Sequence, residues 1–124
     1  MTALDIQRVG RVPVARPRED VDAATSAQIR DELTTCLAPD VDAVILDLTD
    51  VLYLDSAGVD MIFRVGARLR QRRACLHVVI PAASQLTRVV EIVGLTRTID
   101  VHENVEHAIG AAESRAVDSG ELES

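Results

Sequence analysis

Apolar positions along the chain follow two patterns, which predict alternating strands and helices after an opening hairpin. The run at residues 41–48 is almost entirely apolar, as expected for a strand covered on both faces of a parallel sheet. Elsewhere, apolar residues recur every three or four positions, which is typical of helices with one buried face. In chain order, the predicted elements are a hairpin over residues 6–14 turning near Gly10, a helix over 24–37, a strand over 41–48, a helix over 56–72, a strand over 75–80, a helix over 81–93, a strand over 98–101 and a helix over 105–113.

This order of elements defines the expected fold class. Alternating strands and helices predict an α/β fold, with a mixed, mainly parallel sheet of four to five strands and about four covering helices. Pro13 indicates that its strand lies at a sheet edge, because proline has no amide hydrogen for a central ladder. Pro81 and Gly94 are expected at the start and the end of the third helix.

The composition indicates one globular domain. The 124 residues are 48% hydrophobic and 27% charged, which is usual for a single fold of this length. Residues 1–112 are predicted to form the domain, and residues 113–124, which are polar and acidic, a flexible tail. Cys36 and Cys75 lie in apolar runs without metal or dithiol spacing, so both are expected in the core of a protein from a reducing compartment.

Charge and residue content exclude several classes of function. The net charge of −7 and the aromatic content of 2% disfavour nucleic-acid binding and attachment to anionic membranes. All 13 basic residues are arginine, which rules out a phosphate-binding lysine loop, a Schiff base and a lysine general base. The three histidines are scattered, so no metal is expected, and nothing points to a cofactor. No signal peptide and no spanning run are recognisable, so the expected location is the cytoplasm.

The most informative segment is residues 46–59, where a buried strand passes through a short loop into a helix that Ser56 opens. Ser56 is suited to be the N-cap, because its hydroxyl can accept from an amide two or three residues later. It is also suited to phosphorylation, since a helix N-terminus offers free amides and a positive dipole end. A phosphate adds roughly −1.5 to −2 charges beside Asp55 and would expel a partner packed against a neutral hydroxyl. Gly58 in the first turn indicates that another group approaches the backbone closely there.

From about residue 19 to residue 112, the chain resembles the STAS family, in particular the bacterial anti-sigma-factor antagonists. The resemblance rests on the strand 43–48 running into Asp55-Ser56-Ala57-Gly58-Val59, on the segment 20–25, and on residues 81–95 and 101–108 as later βα units. It implies a STAS fold and an antagonist that binds an anti-sigma factor and frees a sigma factor. In the family, the anti-sigma factor is also a serine kinase that phosphorylates the serine after the aspartate, and this role falls on Ser56.

The resemblance further implies where the partner binds. Asp22 and Thr25 lie in a loop that is near the phosphoserine in the family, and the motif contributes Asp55, Ser56, Ala57 and Gly58. Ala57 stands where the family commonly has a second serine or threonine, so Ser56 is the expected acceptor. A phosphatase that resets the switch is a further possible partner.

Simpler or different interpretations remain open at this point. Ser56, Asp22 and Thr25 could be no more than helix caps and first-turn residues. A sensing module for a nucleotide or another small anion, or a subunit of a transport or signalling complex, is the alternative function. An esterase-like enzyme is disfavoured, because the nucleophile elbow requires glycine where this chain has Leu54. The small-anion alternative depends on a stretch rich in arginine, which could equally be a solvated helix face. Its members are Arg64, Arg68, Arg70, Arg72 and Arg73.

Overall fold

The structure, a computed structural model, describes residues 4–35 and 41–113 of the chain. It opens with the predicted hairpin, in which β1 (Leu4–Val9) pairs antiparallel with β2 (Val12–Pro17). Two residues join the strands, and Gly10 is one of them. Its φ of 63° lies in the left-handed region that a two-residue hairpin turn requires. The hairpin is confirmed, and its strands are longer than predicted.

Five strands form one sheet in the order β1-β2-β3-β4-β5. β3 (Ala43–Asp47), β4 (Cys75–Val79) and β5 (Asp100–His102) continue from β2 with parallel pairing throughout. Every residue of β3 and β4 is buried, as expected for strands with helices on both faces. The predicted α/β class, with a mixed and mainly parallel sheet, is therefore confirmed.

Helices cover the two faces of the sheet. The larger core cluster joins one face to α1 (Ala23–Thr35), α2 (Ser56–Gln71) and α3 (Leu86–Val93), while the helical residues 105–113 contribute to a smaller cluster on the opposite face. The inward positions that the spacing predicts for α2 are buried at Ile62, Val65, Gly66 and Leu69, and Val59 is partly buried. These layers fix α2 firmly against the sheet, and its first turn carries Ser56.

The strand that contains Pro13 is not an edge strand, contrary to the prediction. β2 lies between β1 and β3, and β1 forms the edge of the sheet. Pro13 is tolerated there because β2 pairs with β3 through Val14 and Ala15, which follow the proline. Pro13 is therefore not one of the residues paired with β3, so its lack of an amide hydrogen does not interrupt the pairing of β2 with β3.

The third helix begins at Leu86 and not at Pro81. Residues 81–84 form a turn in which the Ser84 amide donates to the Pro81 carbonyl at 2.9 Å, and the Ser84 hydroxyl then accepts from the Leu86 amide at 3.1 Å. A serine that binds the amide two residues later competes with helix formation at its own position. The end of the helix is as predicted, since Gly94 is left-handed with φ 71°.

Some predictions fall on residues outside the described ranges: the C-terminal end of the first helix at residue 37, the burial of Cys36, and the tail beyond residue 113. Cys75 is buried on β4, as predicted. The last strand, predicted over residues 98–101, lies at Asp100–His102.

Candidate functional site

The candidate site lies where β3 ends and the chain passes through residues 48–55 into α2. Parallel strands end on the same edge of a sheet, and open α/β sheets commonly bind their ligands outside the carboxyl ends of these strands. Ser56 is the first residue of α2 and its side chain is exposed. The serine that the sequence singles out therefore stands at the accessible edge of the domain.

Asp55, not Ser56, caps the helix. The backbone of Asp55 is extended, with φ −85° and ψ −178°, and its carboxylate accepts a hydrogen bond from the Gly58 amide at 2.9 Å. Its carbonyl also accepts from the Val59 amide at 3.0 Å. Ser56 occupies the first helical position, so the predicted capping role of its hydroxyl is wrong. The hydroxyl is consequently not needed to hold the helix end.

Gly58 is required by close packing against the neighbouring loop. A Cβ atom at this position would lie 2.5 Å from Leu54 Cδ1 and 3.0 Å from Val21 Cγ1, and both of those side chains are buried. The expectation that another group approaches the backbone closely in this turn is confirmed. The approaching groups belong to the chain itself.

Hydrogen bonds join the loop before α2 to the segment before α1. Val21 and Leu54 form an isolated parallel bridge, in which the Val21 amide donates to the Tyr53 carbonyl at 3.2 Å and the Asp55 amide donates to the Val21 carbonyl at 3.3 Å. Asp20 adds two more hydrogen bonds between these segments. One oxygen of its carboxylate accepts from the Leu52 amide at 3.0 Å and from the Tyr53 amide at 3.1 Å.

Asp20 was not predicted as a site residue. Its partners lie 32 and 33 residues further along the chain. Within the sequence, an aspartate shortly before a helix looks like a capping residue, and nothing local indicates a contact with a distant loop. Only the parallel pairing of the two segments brings this carboxylate to the amides of Leu52 and Tyr53.

Asp22 and Thr25 form a reciprocal cap at the start of α1. The Asp22 carboxylate accepts from the amides of Ala24 and Thr25, both at 3.0 Å, and the Thr25 hydroxyl accepts from the Asp22 amide at 2.9 Å. These hydrogen bonds, first those from Thr25, lower the pKa of Asp22. The capping interpretation of both residues is confirmed, and their contact with a partner stays a prediction.

An ion pair between a half-exposed arginine and a buried aspartate supports the end of β3. The Asp47 side chain is fully buried, and its carboxylate accepts from Arg16 Nη2 at 2.8 Å and Nε at 3.0 Å. The other oxygen accepts from the Thr49 amide at 3.0 Å and from the Thr49 hydroxyl. The hydrogen bond and the charge of Asp47 raise the pKa of Arg16. The turn after β3 is therefore held by side chains as well as by the backbone.

The exposed surface around Ser56 combines apolar and acidic groups. Leu52 is 67% exposed and Tyr53 is 59% exposed, although both are large hydrophobic residues. The exposed side chains of Asp20, Asp22 and Asp50 lie in the two segments that the Val21–Leu54 bridge joins. In the described part of the chain, no group of three or more His, Cys, Asp or Glu side chains could hold a metal ion. Chemically, this surface presents the exposed hydroxyl of Ser56 and a place for a macromolecular contact.

Two histidines, His77 and His102, lie on the neighbouring strands β4 and β5. His77 Nδ1 and His102 Nε2 are 3.1 Å apart across the β4–β5 pair, and the His77 side chain is buried. Burial lowers the pKa of His102, with a smaller opposing effect from the charge of Asp100. None of the hydrogen bonds described for the Ser56 loop involves either ring.

Fold and site together define a small α/β domain with an exposed serine at the start of a helix. The loop between this serine and the central strand β3 is held by hydrogen bonds with Asp20 and Val21. The STAS domain model matches residues 3–108. The chain therefore belongs to the STAS domain family. Within the part of the chain that the structure describes, no helix is long and apolar enough to cross a membrane.

Named relatives are similar to this chain in sequence and in structure. The anti-sigma-B factor antagonist of Listeria monocytogenes is 32% identical over 87 residues, which are 70% of this chain and 75% of the relative. An anti-sigma factor antagonist from Mycobacterium paratuberculosis has a similar crystal structure, with a TM-score of 0.78, 19% identity and coverage of 89% of this chain and 92% of that one. The Bacillus protein SpoIIAA in its phosphorylated form has a TM-score of 0.60, 24% identity and coverage of 88% and 98%. The two solved structures show the shared fold.

Proposed function

We propose that this protein is an anti-sigma-factor antagonist that binds an anti-sigma factor, releases a sigma factor, and is switched off by phosphorylation of Ser56. The observation that carries the proposal is the exposed Ser56 hydroxyl at the first position of α2, beside a loop that hydrogen bonds hold in place. The name of the Listeria relative supports the antagonist role. SpoIIAA, a neighbour with the same fold, is known in a phosphorylated form.

The geometry explains why Ser56 suits a switch. A kinase requires a hydroxyl that it can reach, and Ser56 is exposed. Because Asp55 supplies the cap, a phosphate on Ser56 replaces no hydrogen bond that holds α2. The first turn of a helix also attracts an anion through its free amides and its dipole. The domain therefore keeps its fold in both states, and the difference between them is confined to the surface.

The change of surface charge accounts for release of the partner. A phosphate adds roughly −1.5 to −2 charges to a surface that already carries the carboxylates of Asp55 and, one turn further, Asp60. A partner that packs closely against the small hydroxyl would meet both the added volume and the desolvation of a dianion. We assign Asp22, Thr25, Asp55 and Ala57 to the same contact region, since they surround Ser56 in the sequence or belong to the adjoining helix start. Gly58 belongs to this region through its buried packing, which holds the loop before Ser56 close to α2.

The proposed cycle requires an anti-sigma factor with serine kinase activity, and a phosphatase that removes the phosphate would reset it. Sigma factors act in the bacterial cytoplasm, so the proposal places this chain there, as a binding protein and not as an enzyme.

The proposal is tested with the purified protein, the cognate anti-sigma factor and ATP. We expect mass spectrometry to locate the phosphate on Ser56, and calorimetry to show that phosphorylation or Ser56→Asp weakens binding whereas Ser56→Ala retains it. Thr96→Asp, which adds the same charge at an exposed position on another segment, is the matched control and is expected to bind normally. Phosphate on a different residue, or unchanged binding by Ser56→Asp, would contradict the proposal.

A second candidate function is the binding of a small anion, which a cleft between α1 and α2 favours. The cleft has a volume of about 300 Å³ and is lined by Arg30, Arg64 and Arg68, with Val65 and Leu69 among its apolar residues. Arg64 is 2.6 Å from the carboxylate of Asp60, and Arg30 is 3.8 Å from that of Asp31. Guanidinium groups bind phosphates through paired hydrogen bonds. If the chain binds a small anion, this cleft is where we propose that it binds.

Calorimetric titration with ATP in the absence of a protein partner tests this candidate. Saturable binding in the micromolar range that Arg68→Ala abolishes would support it. Arg88→Ala removes the same charge from an exposed position on α3 and serves as the control. Lack of binding, or equal loss in the two variants, would exclude the cleft as a specific site.

A further inference from the structure

Leu52 and Tyr53 are two consecutive large hydrophobic residues on the surface, exposed by 67% and 59%. Their neighbour Leu54 is only 6% exposed and packs into the core beside Gly58. The loop thus buries one apolar side chain and directs the two before it into solvent. Contiguous exposed apolar area can mark a surface that another protein covers, and this pair, unlike Ile92 and Val93 on α3, lies next to the exposed Ser56.

The backbone beneath these two side chains is held in place. Both of their amides donate to the same oxygen of Asp20, and the Tyr53 carbonyl accepts from the Val21 amide. A side chain whose backbone is already ordered loses less entropy when a partner covers it. Tyrosine is moreover one of the residues that most often dominate the binding energy of an interface.

We propose that Leu52 and Tyr53 form the apolar anchor of the contact with the anti-sigma factor, and that Asp20 is the residue that positions them. This inference rests on the proposed function and adds two contact residues that precede the motif. Tyr53 and Ser56 are three residues apart, so their Cα atoms are separated by at most about 11 Å. A protein interface covers roughly 800 Å² on each partner, so one interface includes both the anchor and the switch.

The charges around the anchor define the kind of partner surface that fits it. Asp20, Asp50 and Asp55 lie within three residues of the anchor or bind its backbone. Arg16 Nη1 is 3.6 Å from the Asp50 carboxylate, and this arginine is otherwise engaged with buried Asp47. The complementary surface is an apolar recess bordered by arginine or lysine side chains, which steer association with an acidic rim.

The experiment measures binding of the unphosphorylated chain to its anti-sigma factor by calorimetry. We expect Leu52→Ala and Tyr53→Ala each to raise the Kd at least about tenfold, as truncation of an anchor residue does. Their melting temperatures should stay unchanged, because both side chains are exposed in the free protein. Ile92→Ala, which removes a 76% exposed side chain from α3, is the control and should bind like the wild type.

Asp20 is tested by two substitutions. Asp20→Ala removes the acceptor of the Leu52 and Tyr53 amides and should weaken binding, whereas Asp20→Asn keeps an oxygen that can accept from both and should restore it. Equal weakening by the two variants would show that the partner reads the charge of Asp20, and the positioning role would be wrong.

The anchor and the proposed function fail in different ways. If the wild type binds the anti-sigma factor and releases it on phosphorylation of Ser56, but Leu52→Ala and Tyr53→Ala bind normally, the anchor is wrong and the proposed function stands. If the wild type does not bind the anti-sigma factor at all, the proposed function itself is wrong, and the anchor proposal falls with it.

Discussion

Substitution of Gly58 by alanine tests whether the first turn of α2 and the loop before it are packed as tightly as the structure indicates. The new methyl group would lie 2.5 Å from Leu54 Cδ1, 3.2 Å from Leu54 Cγ and 3.0 Å from Val21 Cγ1. Both neighbours are buried, and the bridge between them fixes their backbones. Leu54 must therefore move within a closed environment, and the loop that precedes Ser56 must move with it.

The expected magnitude follows from two opposing effects. Overpacking of a core usually costs about 1–3 kcal/mol, and replacing glycine by alanine in a helix recovers at most about 1 kcal/mol. Because the contact with Leu54 is as short as 2.5 Å and both neighbours are buried, we place the overpacking cost at about 2–3 kcal/mol, so Gly58→Ala should lower the free energy of unfolding by about 1–2 kcal/mol. At Gly66, the methyl would lie 3.0 Å from the end of the Ile99 side chain, so the effects should nearly cancel. At Gly110, no atom outside its own stretch of helix lies within 4 Å of the added methyl group, and alanine should stabilise the protein by about 0.5–1 kcal/mol.

Urea unfolding followed by far-ultraviolet circular dichroism measures this series. The chain has no tryptophan and its one tyrosine is exposed, so intrinsic fluorescence reports little on the core. We expect the free energy of unfolding of Gly110→Ala to be higher than that of the wild type and that of Gly58→Ala to be lower, with similar m-values for all three proteins. A Gly58→Ala protein as stable as the wild type would show that Leu54 and Val21 do not enclose this turn.

Three further predictions concern the same end of the sheet and the histidine pair. Asp55→Ala should lower the free energy of unfolding by about 1 kcal/mol through loss of the cap, whereas Ser56→Ala should change it by less than about 0.5 kcal/mol, as chemical denaturation can measure. Arg16→Ala removes the half-exposed counter-ion of the buried Asp47 carboxylate and should lower the free energy of unfolding by about 1–3 kcal/mol in the same assay. Burial lowers the pKa of His102 in the folded protein, so protonation of this ring favours the unfolded state. The free energy of unfolding should therefore keep its full value above pH about 6.5 and decrease below it. The melting temperature should be lower at pH 5.5 than at pH 7.5, which lie roughly one unit on either side of 6.5. His102→Gln should reduce this difference, and an unchanged difference would contradict the prediction.

The order of elements could be predicted because it depends on local patterns. Continuous apolar runs identified the two central strands, and three-to-four spacing identified the buried face of α2. The identity of the cap could not be decided in this way. Aspartate and serine both favour the N-cap position, and the two residues are adjacent. The pairing of the Asp55 amide with the Val21 carbonyl keeps Asp55 extended, so Asp55 is the N-cap and Ser56 is the first helical residue.

The supports of the site depend on contacts between distant parts of the chain. Asp20 binds amides more than 30 residues away, and Arg16 binds Asp47 across two strands of the sheet. Neither carries a local signal, because single charged residues near strand and helix ends are common. The serine itself was recognisable from its place between an apolar strand and a helix, whereas the groups that hold its loop became visible only with the sheet pairing.

The separation of capping from signalling explains how one residue can be modified without loss of the fold. If Ser56 were the cap, a phosphate on its oxygen would replace the acceptor that satisfies an amide of the first turn, and the switch would also change the hydrogen bonding of the helix end. With Asp55 as the cap, that amide stays satisfied, and the loop remains held by Asp20 and Val21. Phosphorylation can then change affinity for the partner by its charge alone. A melting temperature of the phosphorylated protein equal to or slightly above that of the unmodified protein, together with a large difference in Kd, is the result that this separation requires.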